Sequence, residues 1–205
     1  MIDKLLPNSL IDRKARLIIE TALADTRVVL IAGPRQAGKT TLARQFSGPE
    51  RPYITLDDVG TLNAARADPI GFVRGINRAV IDEVQRAPEL MLAIKESVDR
   101  NDTPGRFLLT GSANLATVPA IADSLAGRMA VIPLLPFAQS EIRSTPGRLL
   151  DRLFAGDEPL IDDGAVFGND LLETVLRGGY PEALKRTRPA RRVAWLEDSI
   201  GCHGC

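Results

Sequence analysis

Eight consecutive residues, Gly33-Pro34-Arg35-Gln36-Ala37-Gly38-Lys39-Thr40, match the spacing G-x-x-x-x-G-K-[ST] without a mismatch. Glycines in such a segment let the backbone wrap closely enough for its N–H groups to point at phosphate oxygens, and the helix that follows adds positive potential. In this arrangement Lys39 bridges the β and γ phosphates, and the Thr40 hydroxyl is a ligand of the Mg²⁺ that neutralises them. The phosphate-binding set is Gly33, Pro34, Arg35, Gln36, Ala37, Gly38, Lys39, Thr40 and the adjoining Thr41. The ligand this implies is a nucleoside triphosphate, read here as ATP with Mg²⁺. A glycine turn with a solvated lysine matches the same letters, but strand, loop and helix in succession favour the phosphate loop.

A second signal is Arg78-Ala79-Val80-Ile81-Asp82-Glu83, an apolar strand that delivers two acids at its C-terminal end, the edge where ligands of open parallel sheets bind. There Asp82 holds Mg²⁺ through its water shell and Glu83 polarises the attacking water as general base. A third strand, Phe107-Leu108-Leu109-Thr110, runs into Gly111-Ser112-Ala113-Asn114. A hydroxyl or amide there can orient the water, with Ser112 ahead of Thr110 and Asn114 as the candidate, although turn-forming residues also simply make turns. Finally, Arg128 in Ala126-Gly127-Arg128 precedes another apolar run, where it is either an arginine finger reaching the γ-phosphate of a neighbouring subunit or an exposed strand-start residue.

These residues need a scaffold, and the hydrophobic pattern supplies it. Apolar residues recur at helical spacing from Ile11 to Leu23, and Asp25-Thr26 closes that segment. Arg27-Val28-Val29-Leu30-Ile31-Ala32 is apolar throughout after its first residue, the texture of a strand buried on both faces. Thr40 to Phe46 begins a helix that Gly48-Pro49 ends. Short runs at Tyr53-Ile54-Thr55-Leu56, Ala79-Val80-Ile81, Phe107 to Thr110 and Ala130-Val131-Ile132 alternate with helical stretches, notably Glu89 to Arg100 and the region around Ile121 to Leu125. Alternation of this kind predicts an α/β fold, a three-layer parallel sheet covered by helices. Beyond Pro136 the glycines at 147, 156, 164 and 168 punctuate short helical pieces, and Pro189 to Ile200 is the last helix. The expected division is a nucleotide-binding core over residues 1–138 and a small helical lid over 139–205.

The whole-chain figures narrow the function classes. With 205 residues, the chain has room for one core domain and an appendage. Lysine plus arginine equals aspartate plus glutamate at 26 each, so no global charge steers it to nucleic acid or an anionic membrane. Its longest apolar runs fall far short of the roughly 20 residues a bilayer span needs. Neither a secretory signal nor a disulfide framework is visible, with Cys202 and Cys205 the two cysteines, and a cytoplasmic location follows as an expectation.

Six blocks, in order, resemble AAA-type ATPases of the additional-strand P-loop class, and within it the poorly characterised prokaryotic group with an uncharacterised C-terminal domain. They are Gly-Pro-Arg-Gln-Ala-Gly-Lys-Thr, Tyr-Ile-Thr-Leu-Asp-Asp, Val-Ile-Asp-Glu-Val-Gln-Arg-Ala-Pro, Leu-Leu-Thr-Gly-Ser-Ala-Asn, Leu-Ala-Gly-Arg and Gly-Gly-Tyr-Pro-Glu-Ala-Leu, within a span from Leu10 to Leu196. The resemblance implies a five-stranded core with an extra strand between the phosphate-loop and acid-pair strands, followed by a helical lid. It also implies that Asp82 and Glu83 are the Walker B pair, that Ser112 lies near the sensor position, that Gly178-Gly179-Tyr180-Pro181 begins a lid element, and that Arg177 is a lid sensor. Members of this group run longer, so the ending Gly201-Cys202-His203-Gly204-Cys205 is read as that of a truncated or frame-shifted copy. The Cys-His-Cys set there has too few ligands for a closed zinc site.

The leading expectation is therefore an ATPase. The alternatives are a nucleotide-dependent switch or scaffold with little turnover and a DNA-associated ATPase using Lys185-Arg186-Thr187-Arg188 with Arg191-Arg192. A solvated helix face explains those charges equally well. A P-loop kinase fits less well, because the Asp-Glu pair suits activation of water, and no Asn-Lys-x-Asp segment supports a GTPase.

Overall fold

The computed structural model describes residues 10–112, 125–145, 149–156 and 166–201. Asn114, residues 121–124 and the tail residues Cys202, His203 and Cys205 lie outside the described residues. The chain forms two compact units, Lys14–Leu135 and Met1–Arg13 with Pro136–Cys205.

In the first unit the order is α1 (Ala15–Asp25), β1 (Val28–Gly33), α2 (Lys39–Arg44), β2 (Tyr53–Thr55), α3 (Val59–Ala67), α4 (Pro69–Arg74), β3 (Ala79–Asp82), a single 3₁₀ turn (Val84–Arg86), α5 (Leu90–Arg100), β4 (Phe107–Ser112) and β5 (Met129–Pro133). The five strands pair only in parallel, in the order β2-β3-β4-β1-β5. The phosphate-loop strand and the acid-pair strand are thus separated by β4, the extra strand that the resemblance implied. Parallel pairing demands crossovers, and the helices that make them cover both faces, so every residue of β1 is buried.

Side-chain alternation along β1 splits the core in two. Val28, Leu30 and Ala32 share one cluster with Ile81, Phe107, Leu109 and the inward faces of α3, α4 and α5. Val29 and Ile31 share the other with Ile19 of α1, Leu42 and Ala43 of α2, Val80, Leu108 and Ile132. Each large aliphatic side chain fully removed from water contributes about 1.5–3 kcal/mol, which makes the sheet the rigid part of the unit.

Local signals set the boundaries. Asp58 accepts the Thr61 N–H at 2.7 Å and starts α3, and Asp68 accepts the Gly71 N–H at 2.8 Å with Pro69 at the first helical position of α4. The first helix begins at Ala15 rather than at Ile11, because Arg13 is held elsewhere, its guanidinium 4.2 Å from the Phe137 ring centre and 3.3 Å from Glu141. Arg106, before β4, is 5% exposed and donates to the carbonyls of Asn77 at 3.0 Å, Ile76 at 3.0 Å and Ser97 at 2.6 Å. It ties the start of β3 to α5, and burial lowers its pKa.

The second unit is helical: α6 (Gln139–Ile142), α7 (Leu149–Ala155), α8 (Gly168–Arg177), α9 (Pro181–Leu184) and α10 (Pro189–Gly201). Its interior gathers Ala183, Leu184 and an edge-on Tyr180–Trp195 pair with ring centres 5.9 Å apart. Much of the basic segment is engaged within this unit. Lys185 and Arg186 pair with Glu182, Arg186 also stacks over Trp195, and the buried Arg192 donates to the Arg186 carbonyl at 3.0 Å. Arg188 and Arg191 are exposed. No helix among the described residues is long and apolar enough to cross a membrane.

Candidate functional site

The C-terminal ends of β1, β3 and β4 lie side by side, because Ala32 is level with Gly111 and Ile81 with Leu109. The glycine-rich loop therefore leaves β1 next to the acids that end β3. Gly33 has to lack a side chain: a Cβ there would sit 2.2 Å from the Leu134 carbonyl oxygen. Gly38 takes φ 96° to turn the chain into α2, and Gln36 also has positive φ, 61°.

Lys39 is 6% exposed and folds back over its own loop, donating from Nζ to the carbonyls of Gly33 at 2.9 Å and Pro34 at 2.8 Å. Burial lowers its pKa, opposed first by Glu83 and then by Asp82, both of which favour the ammonium. Of the remaining loop residues Ala37 is buried, Pro34, Gly38 and Thr40 are half-buried, and Arg35, Gln36 and Thr41 are exposed.

Asp82, 2% exposed, receives hydroxyls from one helix and two strands. Thr40 Oγ1 lies 3.1 Å from each carboxylate oxygen, Tyr53 donates to Oδ2 at 2.7 Å, and Thr110 donates to Oδ1. Register explains the last two. Ile81 faces Leu109, which sets Thr110 beside Asp82, and Tyr53 faces Val80, so its ring lies on the same side of the sheet as Asp82 two residues on. Arg44 of α2 caps the arrangement, its guanidinium 4.5 Å from the Tyr53 ring centre.

Glu83 adopts a left-handed backbone, φ 61° and ψ 42°, which costs a non-glycine residue about 1–2 kcal/mol. Thr110 compensates by accepting the Glu83 N–H at 3.0 Å, and its hydroxyl so joins the two acids. The Glu83 carboxylate is held by Gln85, whose Nε2 donates to Oε2.

The structure thus brings Lys39, Thr40, Asp82, Glu83 and Thr110 together. Ser112 stands at the end of β4 beside Gly33, and its N–H donates to Gln85 Oε1 at 3.3 Å. Arg128 lies elsewhere. Its carbonyl accepts the Val28 N–H at 3.2 Å, at the start of β1, so it occupies the opposite sheet edge from the loop, where it pairs with Asp99. A six-residue parallel strand separates those edges by about 20 Å. Arg177 closes α8 in the other unit, its Nε buried without a hydrogen-bond partner among the described residues. Tyr53, Arg44 and Gln85 were not singled out from sequence, although Tyr53 and Gln85 stand within the quoted blocks.

The hard oxygens of Thr40 and Asp82 beside an ammonium are a donor set suited to Mg²⁺ with a phosphate chain. Among the described residues no group of three or more His, Cys, Asp or Glu is placed to hold a metal ion by itself, so protein atoms alone form no closed cage.

Residues 25–143 match a family model described as an AAA domain. The chain is 34% identical over 190 residues to an uncharacterised protein of Mycobacterium bovis, and equally so to one of Mycobacterium tuberculosis. Each alignment takes in 92% of this chain but 37% of the relative. Among solved structures it is similar to the Walker-type ATPase PABY2304 of Pyrococcus abyssi, with a TM-score of 0.53 and 17% identity over 99% of this chain and 76% of that one. At that identity the likeness bears on fold.

Proposed function

The chain belongs to the AAA-domain family of P-loop ATPases, and from that premise we propose that it binds ATP with Mg²⁺ and hydrolyses it, using Glu83 to activate water. The observation that carries this reading is the meeting of Thr40 and Asp82 beside Lys39 at one sheet edge, where Glu83 directly follows Asp82. Lys39 exchanges the Gly33 and Pro34 carbonyls for phosphate oxygens, and the loop amides complete the cradle. Thr40 and Asp82 are the residues that would hold Mg²⁺, directly or through its waters, and the ion would supply neutralisation of the phosphate charge. Glu83 accepts a proton from the water it orients, with its backbone N–H held by Thr110. Residues 139–205 serve as a helical lid over this cycle, and Arg177 as its sensor.

Arg128 enters this scheme only toward a neighbouring copy, since within its own chain it faces the far sheet edge. Mixing Lys39→Ala with Arg128→Ala tests that use, because an arginine supplied in trans restores phosphate release when each variant alone is inactive.

The central test separates affinity from turnover. Calorimetry with ATP and Mg²⁺ and a phosphate-release assay are run on the wild type, Lys39→Ala and Glu83→Gln. Expected are lost binding in the first variant, and in the second retained binding with turnover slower by about two orders of magnitude or more. Undiminished turnover in Glu83→Gln removes the base from its role. Tight binding by a wild type that releases no phosphate supports instead a nucleotide-dependent switch or scaffold.

A further inference from the structure

Gln85 touches the proposed base and has no part in the hydrolysis scheme so far. It lies in the 3₁₀ turn after β3, a turn closed by the Arg86 N–H on the Glu83 carbonyl at 3.0 Å and the Ala87 N–H on the Val84 carbonyl at 3.1 Å. Val84 between the two polar residues is fully buried, which anchors the turn in the core and sends Gln85 back toward β4. There its amide is used at both ends: Nε2 donates to Glu83 Oε2, and Oε1 accepts the Ser112 N–H at 3.3 Å.

An amide of this length does both. A glutamate cannot donate to a carboxylate at neutral pH, a lysine cannot accept from an N–H, and an aliphatic side chain does neither. The bridge complements the hold on the other end of the same residue, where Thr110 takes the Glu83 N–H. With the backbone set in the left-handed region and both termini of the residue bonded, the carboxylate has little freedom to swing. The bridge also sets it near the phosphate loop, since Ser112, at the other end of the amide, is level with Gly33.

We propose that Gln85 is the positioning residue for Glu83, linking the base to the end of β4 so that its carboxylate stays aimed at the phosphate loop. This rests on the hydrolysis reading above and adds the residue through which that base is aligned. Gln85 acts on the reaction through Glu83 alone. Because the other end of its amide sits on the Ser112 N–H, a displacement at the end of β4 reaches the base through one side chain.

The test uses the full chain, with ATP affinity and steady-state phosphate release measured separately and folding followed by thermal melting. Gln85→Met keeps the shape and loses both hydrogen bonds; kcat is expected to fall about 10- to 100-fold, the range that misplacing a reacting group produces, with ATP affinity and KM within about twofold. Gln85→Glu keeps an acceptor for Ser112 but sets a carboxylate against Glu83, with an equal or larger loss expected. It carries the test if the methionine variant does not fold. In the Glu83→Gln background the methionine substitution adds no further loss, because the residue it acts through is already disabled. The proposal is overturned by Gln85→Met turning over within twofold of the wild type, by a loss expressed in KM alone, or by fully additive losses in the double variant. A wild type that binds ATP yet releases no phosphate overturns the hydrolysis reading, and this inference with it.

Discussion

Replacing Thr110 by valine probes the joint between the two acids. The substitution is nearly isosteric and suits a central strand, so packing changes little. Two interactions vanish: the hydroxyl's hydrogen bond to the Asp82 carboxylate, and its acceptance of the Glu83 N–H at 3.0 Å. A hydrogen bond to a charged group is worth about 1.5–3 kcal/mol, and an N–H left without its partner costs about 1–3 kcal/mol. Asp82 keeps the Thr40 and Tyr53 hydroxyls, which places the sum near the lower end, about 3 kcal/mol. For a chain of this size that lowers the melting temperature by about 6–12 °C. Thr110→Ser retains the hydroxyl and loses a methyl, costing about 1 kcal/mol. Ser112→Ala is the control, expected within about 0.5 kcal/mol, because Ser112 makes its bond to Gln85 through the backbone. Differential scanning fluorimetry of the three variants decides. A valine variant that melts within about 2 °C of the wild type, or a serine variant less stable than the valine one, refutes the claim that this hydroxyl joins Asp82 to Glu83.

Gly33→Ala should lower both ATP affinity and melting temperature, because the new Cβ would lie 2.2 Å from the Leu134 carbonyl oxygen and the loop has to shift to admit it; unchanged affinity by calorimetry would show that the loop tolerates the shift. Tyr53→Phe tests a pH effect. Burial and then the hydrogen bond to Asp82 raise the Tyr53 pKa, so its contribution to stability is whole below the ordinary tyrosine range and fades as pH rises through the elevated folded value. The wild type should therefore lose stability more steeply than Tyr53→Phe across alkaline pH, and parallel curves in urea melts would count against the phenol–carboxylate bond.

How much of this was legible beforehand depends on the range over which each interaction is specified. The phosphate loop is local: eight consecutive residues supply the glycines, lysine and hydroxyl, and the apolar run before them fixes strand β1. Strands β2 to β5 were readable for the same reason, as short apolar runs bounded by breakers. The helices α3 and α4 were not individually foreseen, though Asp58 and Asp68-Pro69 mark their starts, because their apolar faces are narrow and each is under three turns long. In the sequence Tyr53 reads as a strand residue, with no sign that it contacts an acid 29 positions away. That contact needs β2 to be the neighbour of β3, in parallel, with Tyr53 level with Val80. Neither strand's own letters contain any of those three facts.

Arg128 makes the same point in reverse. Its position before an apolar run was plain, but the direction of that run relative to β1 decides which sheet edge the arginine occupies. Parallel pairing of Val28 with Met129 puts it at the edge where β1 begins, beside Asp99, and so away from the loop where β1 ends. The same register that removes Arg128 from its own chain's site delivers Thr110 to Asp82 and Ser112 to the level of Gly33. Pairing therefore carries the geometry of the candidate site here. The proposed chemistry needs a few polar residues at strand ends, and the sheet order decides which of them meet.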